Sequence, residues 1–381
     1  MQGRVRIALV AGEASGDLLA SHLMAALKAR LPQVEFVGIG GPKMQAQGLD
    51  AWWPMDELAV MGYWDALKRY RRIAGIRRQL KKRLLRERPD VFIGVDAPDF
   101  NLGLETDLKQ AGIRTIHYVS PSIWAWRGGR IRKIGKAVHR VLALFPMEPP
   151  LYEQAGIPVT YVGHPLADLI PLEVSRPLVR DKLQLPRDVP LFALLPGSRR
   201  GELEQMAATF VQTARLVREQ LPEAQFVVPL TTRETRLQFE TAIYEQKAGD
   251  IPFRLLFGHA QDALGACDVA LVKSGTSTLE AALYKRPMVI TYKIARLSYW
   301  LMKRMAYLPY VGLPNVLAGR QVVPEVLQDQ ANPQNLAQQL LQLYADRDQL
   351  EAIEEVFTDL HLQLRQNNAE TAARAVIACL N

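Results

Sequence analysis

The chain has 381 residues, 49% hydrophobic and 23% charged, a globular composition too long for one ordinary core, so two domains are expected. Its two cysteines, Cys267 and Cys379, exclude a disulfide framework and point to a reducing compartment. A formal net charge of +8 suits an anionic partner: nucleic acid, a phosphorylated substrate or an acidic bilayer.

In chain order, Val5–Val10 predicts a buried strand, followed by the turn Ala11–Asp17 and a helix to about Ala29. Val34–Ile39, Val91–Val95, Thr115–Val119, Val138–Phe145 and Val159–Val162 continue as strands, with helices between. Met1–Val10 lacks the apolar core and cleavage site of a signal peptide, and no run approaches the roughly 18 apolar residues of a membrane span. Residues 166–190 carry prolines and charges without a strand and read as a connection. The pattern then restarts with Leu191–Leu195, Phe226–Leu230, Phe253–Phe257, Val269–Val272 and Met288–Tyr292. Alternation at this spacing predicts an α/β chain with a doubly wound parallel sheet in each half. The expected domains are 1–165 and 191–340, two facing Rossmann-like units with a ligand cleft, and a helical tail over 341–381 that either returns to the first domain or is exchanged in a dimer.

Gly197, Ser198 and Arg199, in the loop after Leu191–Leu195, combine backbone N–H donors, a helix start and a guanidinium for phosphate. An ordinary strand–helix turn with exposed arginines competes with that reading. Ser274, Gly275, Thr276 and Ser277 form a second hydroxyl-rich turn after Val269–Val272, and Glu280 on the following helix can accept ribose hydroxyls. A Ser/Thr helix cap is the alternative there. Ser15 and Asp17 lie in a glycine-containing turn that lacks the third glycine of a dinucleotide fingerprint and the lysine of a P-loop, and suit a sugar-binding or acceptor-binding turn.

Asp96 ends the strand Val91–Val95, where a general base would sit, and Asp99 follows it, with a helix cap as its competing role. No histidine or further acid clusters with them, so no metal site is expected. Trp124 in an aromatic run and His164 after Gly163 are candidates for a cleft wall; core packing and a structural histidine are the alternatives. The basic excess gathers in Met61–Arg88, interleaved with Tyr63, Trp64, Leu67, Tyr70, Ile73 and Ile76. That pattern predicts a basic amphipathic helix on a membrane surface, while apolar positions 73, 76, 80 and 84 also suit packing on a sheet.

Six segments together resemble the lipid-A-disaccharide synthase family of Gram-negative bacteria: Val10–Asp17, Gly94–Asn101, His117–Arg127, Leu194–Arg199, Ser274–Glu280 and Leu313–Arg320. The resemblance implies a metal-independent, cofactor-free GT-B glycosyltransferase. Its expected reaction joins UDP-2,3-diacylglucosamine to 2,3-diacylglucosamine 1-phosphate, giving the β-1′,6-linked disaccharide and UDP. By position it makes Asp96 the base, and Gly197–Arg199, Ser274–Ser277, Glu280 and Asn315 the UDP region. It also implies a cytoplasmic enzyme bound peripherally to the inner membrane, with a homodimer through exchanged C-terminal segments as a further expectation, and no nucleic-acid partner. Lys273 and the doubled Arg200 are small departures from the family pattern. The rivals are a GT-B enzyme on a soluble UDP-sugar, such as a UDP-N-acetylglucosamine 2-epimerase, and an RNA-binding protein using the basic segment.

Overall fold

The structure is a computed structural model describing residues 4–58, 63–124, 128–294 and 308–380, with the backbone alone over 63–70. It divides into two compact units, residues 1–168 with 364–381, and residues 169–363. The first holds seven parallel strands: β1 (Val5–Ala11), β2 (Val34–Gly40), β3 (Leu49–Pro54), β4 (Val91–Val95), β5 (Arg114–Tyr118), β6 (Arg140–Ala143) and β7 (Val159–Tyr161). The second holds six: β8 (Leu191–Leu195), β9 (Gln225–Leu230), β10 (Phe253–Phe257), β11 (Val269–Lys273), β12 (Met288–Tyr292) and β13 (Glu325–Leu327).

The strand orders are β3-β2-β1-β4-β5-β6-β7 and β10-β9-β8-β11-β12-β13. Counted from each unit's first strand, the second runs 3-2-1-4-5-6, the doubly wound order, and the first runs the same with a seventh strand added beyond the sixth. In each sheet the order reverses between the first and fourth strands, so crossovers leave in opposite directions and the strand ends there open a crevice. In the first unit that switch point lies between β1 and β4, with Val10 opposite Gly94 and Ala11 opposite Val95. In the second it lies between β8 and β11, with Leu195 opposite Val272.

Strand alternation sends Ile7 and Leu9 of β1 to one face of the first sheet, where they join Leu19, Leu23 and Leu27 of the helix Ala14–Arg30 and Val376 of the last helix, Asn368–Leu380. Ala8 and Val10 face the other way, onto Ile76, Leu80 and Leu84 of the helix Tyr63–Glu87 and Phe100, Leu104 and Leu108 of Pro98–Gln110. The spacing 76, 80, 84 places those three side chains in one row on the helix. Ile76 is 6% exposed and the other two are fully buried. Ile76 is therefore core and unavailable as a membrane contact, a correction to the expectation above. Ile73 is half-buried against the same cluster, and the side chains of Tyr63, Trp64, Leu67 and Tyr70 lie outside the described residues.

The last helix is anchored within the first unit. Asn368 accepts the Tyr118 hydroxyl at 2.6 Å and donates to the Gly163 carbonyl at 2.8 Å, while the Asp168 carboxylate accepts the N–H groups of Asn367 and Asn368. Among the described residues no helix is long and apolar enough to cross a membrane.

Candidate active site

In the first unit, Asp96 and Ala97 leave β4 with φ of +53° and +44°. Two successive non-glycine residues in the left-handed region are strained, and they persist only where the surroundings hold them. The hold is visible: the Asp96 N–H donates to the Tyr118 carbonyl at 2.8 Å, and Asn101 Nδ2 donates to the Asp96 carbonyl at 2.8 Å. Asn101 is fully buried and also reaches the Val10 carbonyl, so one amide ties β1 to the strained turn. Behind it the fully buried His117 and Glu105 pair at 2.7 Å. Burial pushes the Glu105 carboxyl above its ordinary range, against the opposing pull of His117.

No described residue donates a hydrogen bond to the half-buried Asp96 carboxylate, which lines a hollow of about 490 Å³ with Gly12, Glu13, Leu58, Ile73 and Arg77. Asp99 lines the same hollow, with its side chain 89% exposed and its carboxylate accepting from Arg130 at 2.9 Å.

The β1 turn is arranged otherwise than expected. Asp17 is 2% exposed, and its carboxylate accepts the N–H groups of Gly41, Lys43 and Met44 at 2.9–3.0 Å. It caps the short helix Pro42–Ala46 and is spent there, which removes it from the acceptor candidates. Ser15 is exposed on the first turn of its helix, while Gly12 and Glu13 are the residues that reach Asp96's hollow. Trp124 and His164 meet through Phe145, Trp124 edge-on at 6.4 Å and His164 stacked at 5.5 Å. Burial lowers the His164 imidazole to about 4, so it is neutral near pH 7.

In the second unit, one pocket of about 290 Å³ brings together Gly197, Ser198 and Arg199 after β8 with Ser274, Gly275, Thr276 and Ser277 after β11. Gly197 has φ +133°, and a Cβ there would stand 2.6 Å from the Glu202 side chain, so the turn requires glycine. Glu202 itself was not anticipated from the sequence. Its carboxylate accepts the N–H groups of Ser198 at 2.9 Å and Arg199 at 3.3 Å, and receives Lys273 Nζ at 2.6 Å. Burial raises its pKa, but Lys273 and these N–H groups outweigh that and hold it below the ordinary value. The donors assigned to phosphate are thus occupied by a carboxylate of the chain, the capping-box geometry of a Glu three residues into a helix.

Of the doubled arginine, Arg200 turns to Glu204 at 2.8 Å and Glu234 at 3.4 Å, leaving Arg199 on the pocket. Glu280 is half-buried, its carboxyl pushed up by burial, on the helix Thr276–Leu283 that follows the serine-rich turn. Asn315 is fully buried: its Oδ1 accepts the N–H groups of Val322 and Val323, and its Nδ2 donates to the Val323 carbonyl and Glu325. With both donor hydrogens and both acceptor sites spent, it fastens the loop ahead of β13 and has no hydrogen-bonding capacity for a ligand, a second correction. Among the described residues no cluster of three or more His, Cys, Asp or Glu side chains forms a metal site.

The sequence profile of the family described as lipid-A-disaccharide synthetase matches residues 7–379. The chain belongs to that family. It is 76% identical over 382 residues to the lipid-A-disaccharide synthase of Dechloromonas aromatica, covering 100% of both chains. It is 60% identical to that of Chromobacterium violaceum, covering 99% of this chain and 97% of the relative. Among solved structures it resembles the glycosyltransferase of kitacinnamycin, with a TM-score of 0.65 at 16% identity and 100% of both chains covered. It also resembles the UDP-GlcNAc 2-epimerase of Neisseria meningitidis, with a TM-score of 0.63 at 12% identity and 99% of both covered. At such identities the two structures establish the GT-B fold alone, so they give the epimerase reading no separate support. Family membership favours the transferase over that rival and over an RNA-binding protein.

Proposed function

We propose that this family member joins UDP-2,3-diacylglucosamine to 2,3-diacylglucosamine 1-phosphate with inversion, Asp96 acting as general base. The observation that carries the assignment is positional: four of the family's six segments fall at the switch-point strand ends of the two sheets, and Asp96 stands at one of them with no described donor on its carboxylate. Asp96 takes the proton of the acceptor 6-hydroxyl as that oxygen attacks the anomeric carbon from the face opposite UDP. The bond to the pyrophosphate breaks, and the leaving charge passes to Arg199 and to N–H groups at the starts of the helices Arg200–Gln220 and Thr276–Leu283. For Ser198 and Arg199 that handover requires the pyrophosphate to displace Glu202, which frees Lys273 as a further cation beside the leaving group. Glu280 accepts from the ribose hydroxyls, and Asn315 supports the donor side by fixing its loop.

Both substrates carry acyl chains, so the enzyme works at the cytoplasmic face of the inner membrane. The start of the helix Tyr63–Glu87, with Tyr63, Trp64, Leu67 and Tyr70, is the contact, assisted by its basic residues at about 1 kcal/mol each near anionic lipid. The test is UDP release from the diacylated donor with and without the lipid monosaccharide phosphate. Acceptor-dependent release that survives EDTA is expected. Loss in EDTA with recovery in magnesium would replace the proposed leaving-group stabilisation.

A further inference from the structure

Beside Asp96's hollow lies a second one, of about 380 Å³, that the reaction as written does not use. The two share Arg77, Pro98 and Asp99, so a ligand in one borders the other. Four cations from three elements line it: Arg77 of the helix Tyr63–Glu87, Arg130 of the turn Gly128–Arg130, and Lys133 and Lys136 of the helix Ile131–Ala137. Asp99 is the single carboxylate among the described lining residues, and Arg130 takes it at 2.9 Å. No described carboxylate pairs with Arg77, Lys133 or Lys136. The floor is the helix Pro98–Gln110, where Gly103 leaves room for the Arg77 guanidinium: a Cβ at that position would stand 3.1 Å from Nη1.

Solvated surface cations disperse, whereas these converge on one concavity and repel one another. Such a field is relieved by a compact dianion, for which lysine and arginine supply charge-assisted donors. Resting on the reading of Asp96 as the base that engages the acceptor hydroxyl, we propose that this basic hollow holds the phosphomonoester of the acceptor sugar. It orients the ring so that its free hydroxyl lies at Asp96. Arg77, on the wall common to both hollows, is the hinge of that arrangement. The Arg130–Asp99 ion pair ties the basic lining to that common wall. The site selects acceptors that carry a phosphate and leaves donor recognition to the second unit.

The test compares 2,3-diacylglucosamine 1-phosphate with the same diacylated sugar lacking the phosphate, in neutral detergent micelles. The proteins are the parent, Lys133→Ala/Lys136→Ala and Arg77→Ala, all substituted at exposed positions. Loss of one or two charge-assisted hydrogen bonds is expected to raise KM for the phosphorylated acceptor by roughly 10- to 100-fold, with donor KM unmoved. Removing the phosphate is expected to harm the parent by a similar factor and the variants little further. Equal sensitivity of parent and variants to phosphate removal overturns the proposal. So does an effect of the variants seen on anionic vesicles and absent in neutral micelles, which assigns these cations to a lipid headgroup surface. A parent that transfers to neither acceptor overturns the reading of Asp96 and the proposal with it, whereas transfer without phosphate discrimination overturns the proposal alone.

Discussion

At the switch point of the second sheet a carboxylate sits on backbone N–H groups, while at the first a carboxylate stands with no described donor. Glu202 is held by two N–H groups and Lys273; among the described residues Asp96 is fixed through its backbone. The same topology therefore presents two chemical states. One is a turn whose N–H groups hold an internal anion, which the proposed pyrophosphate would displace. The other is a carboxylate whose strained backbone is secured while its oxygens are left open for a proton. The difference teaches that the turn geometry and the side-chain chemistry at a strand end are set by separate groups. Substitutions can separate them.

The largest expected effect on folding comes from Asn315, assigned here to holding a loop. Asn315→Ala leaves two buried N–H groups without acceptors and is expected to cost on the order of 3 kcal/mol, read from urea unfolding. A loss below about 1 kcal/mol accompanied by abolished UDP binding would make the residue a ligand contact instead. Arg199→Ala should weaken UDP by about 1.5–3 kcal/mol without changing stability, because its side chain is exposed on the pocket. Unaltered UDP affinity would leave leaving-group stabilisation to the N–H groups and Lys273.

Much of this was legible in the sequence, and the failures share a cause. The buried strands announce themselves as apolar runs, and the turns that follow them carry glycine and hydroxyl residues whose chemistry is local. β3 (Leu49–Pro54) and β13 (Glu325–Leu327) escaped because both are part-exposed edge strands, each carrying an acidic residue that interrupts the apolar run. Asp17 misled because its partners stand 24 to 27 positions away, and spacing alone does not distinguish a carboxylate that caps another helix from one that meets a ligand. Glu202 was passed over although its position three residues into a helix is itself a capping signal. Ile76 shows the limit of an amphipathic pattern: periodicity defines a face and says nothing about whether that face meets a sheet or a bilayer.

A smaller effect sharpens the first unit. His164 has its pKa lowered to about 4 by burial, against about 6.5 in an unfolded chain. As pH falls through this interval the unfolded chain binds a proton that the folded one resists, so stability present at neutral pH is progressively lost. His164→Gln should remove that part of the acid loss, about 2 kcal/mol between pH 7 and pH 5 in paired unfolding curves. Identical pH slopes in parent and variant would show that the imidazole is not held neutral. The Glu148 carboxyl, raised to about 7 by burial, works in the opposite sense, and its contribution declines as pH rises through 7.

In the proposed reaction Asp96 takes the acceptor's proton while the second unit holds the donor. The most direct measurement is turnover and UDP affinity together in Asp96→Asn, an isosteric change that keeps the backbone bonds of the strained turn. Turnover is expected to fall by about 10²–10⁴-fold with UDP affinity and unfolding midpoint unchanged. Turnover within about threefold of the parent, in a folded protein that still binds UDP, would contradict that role for Asp96.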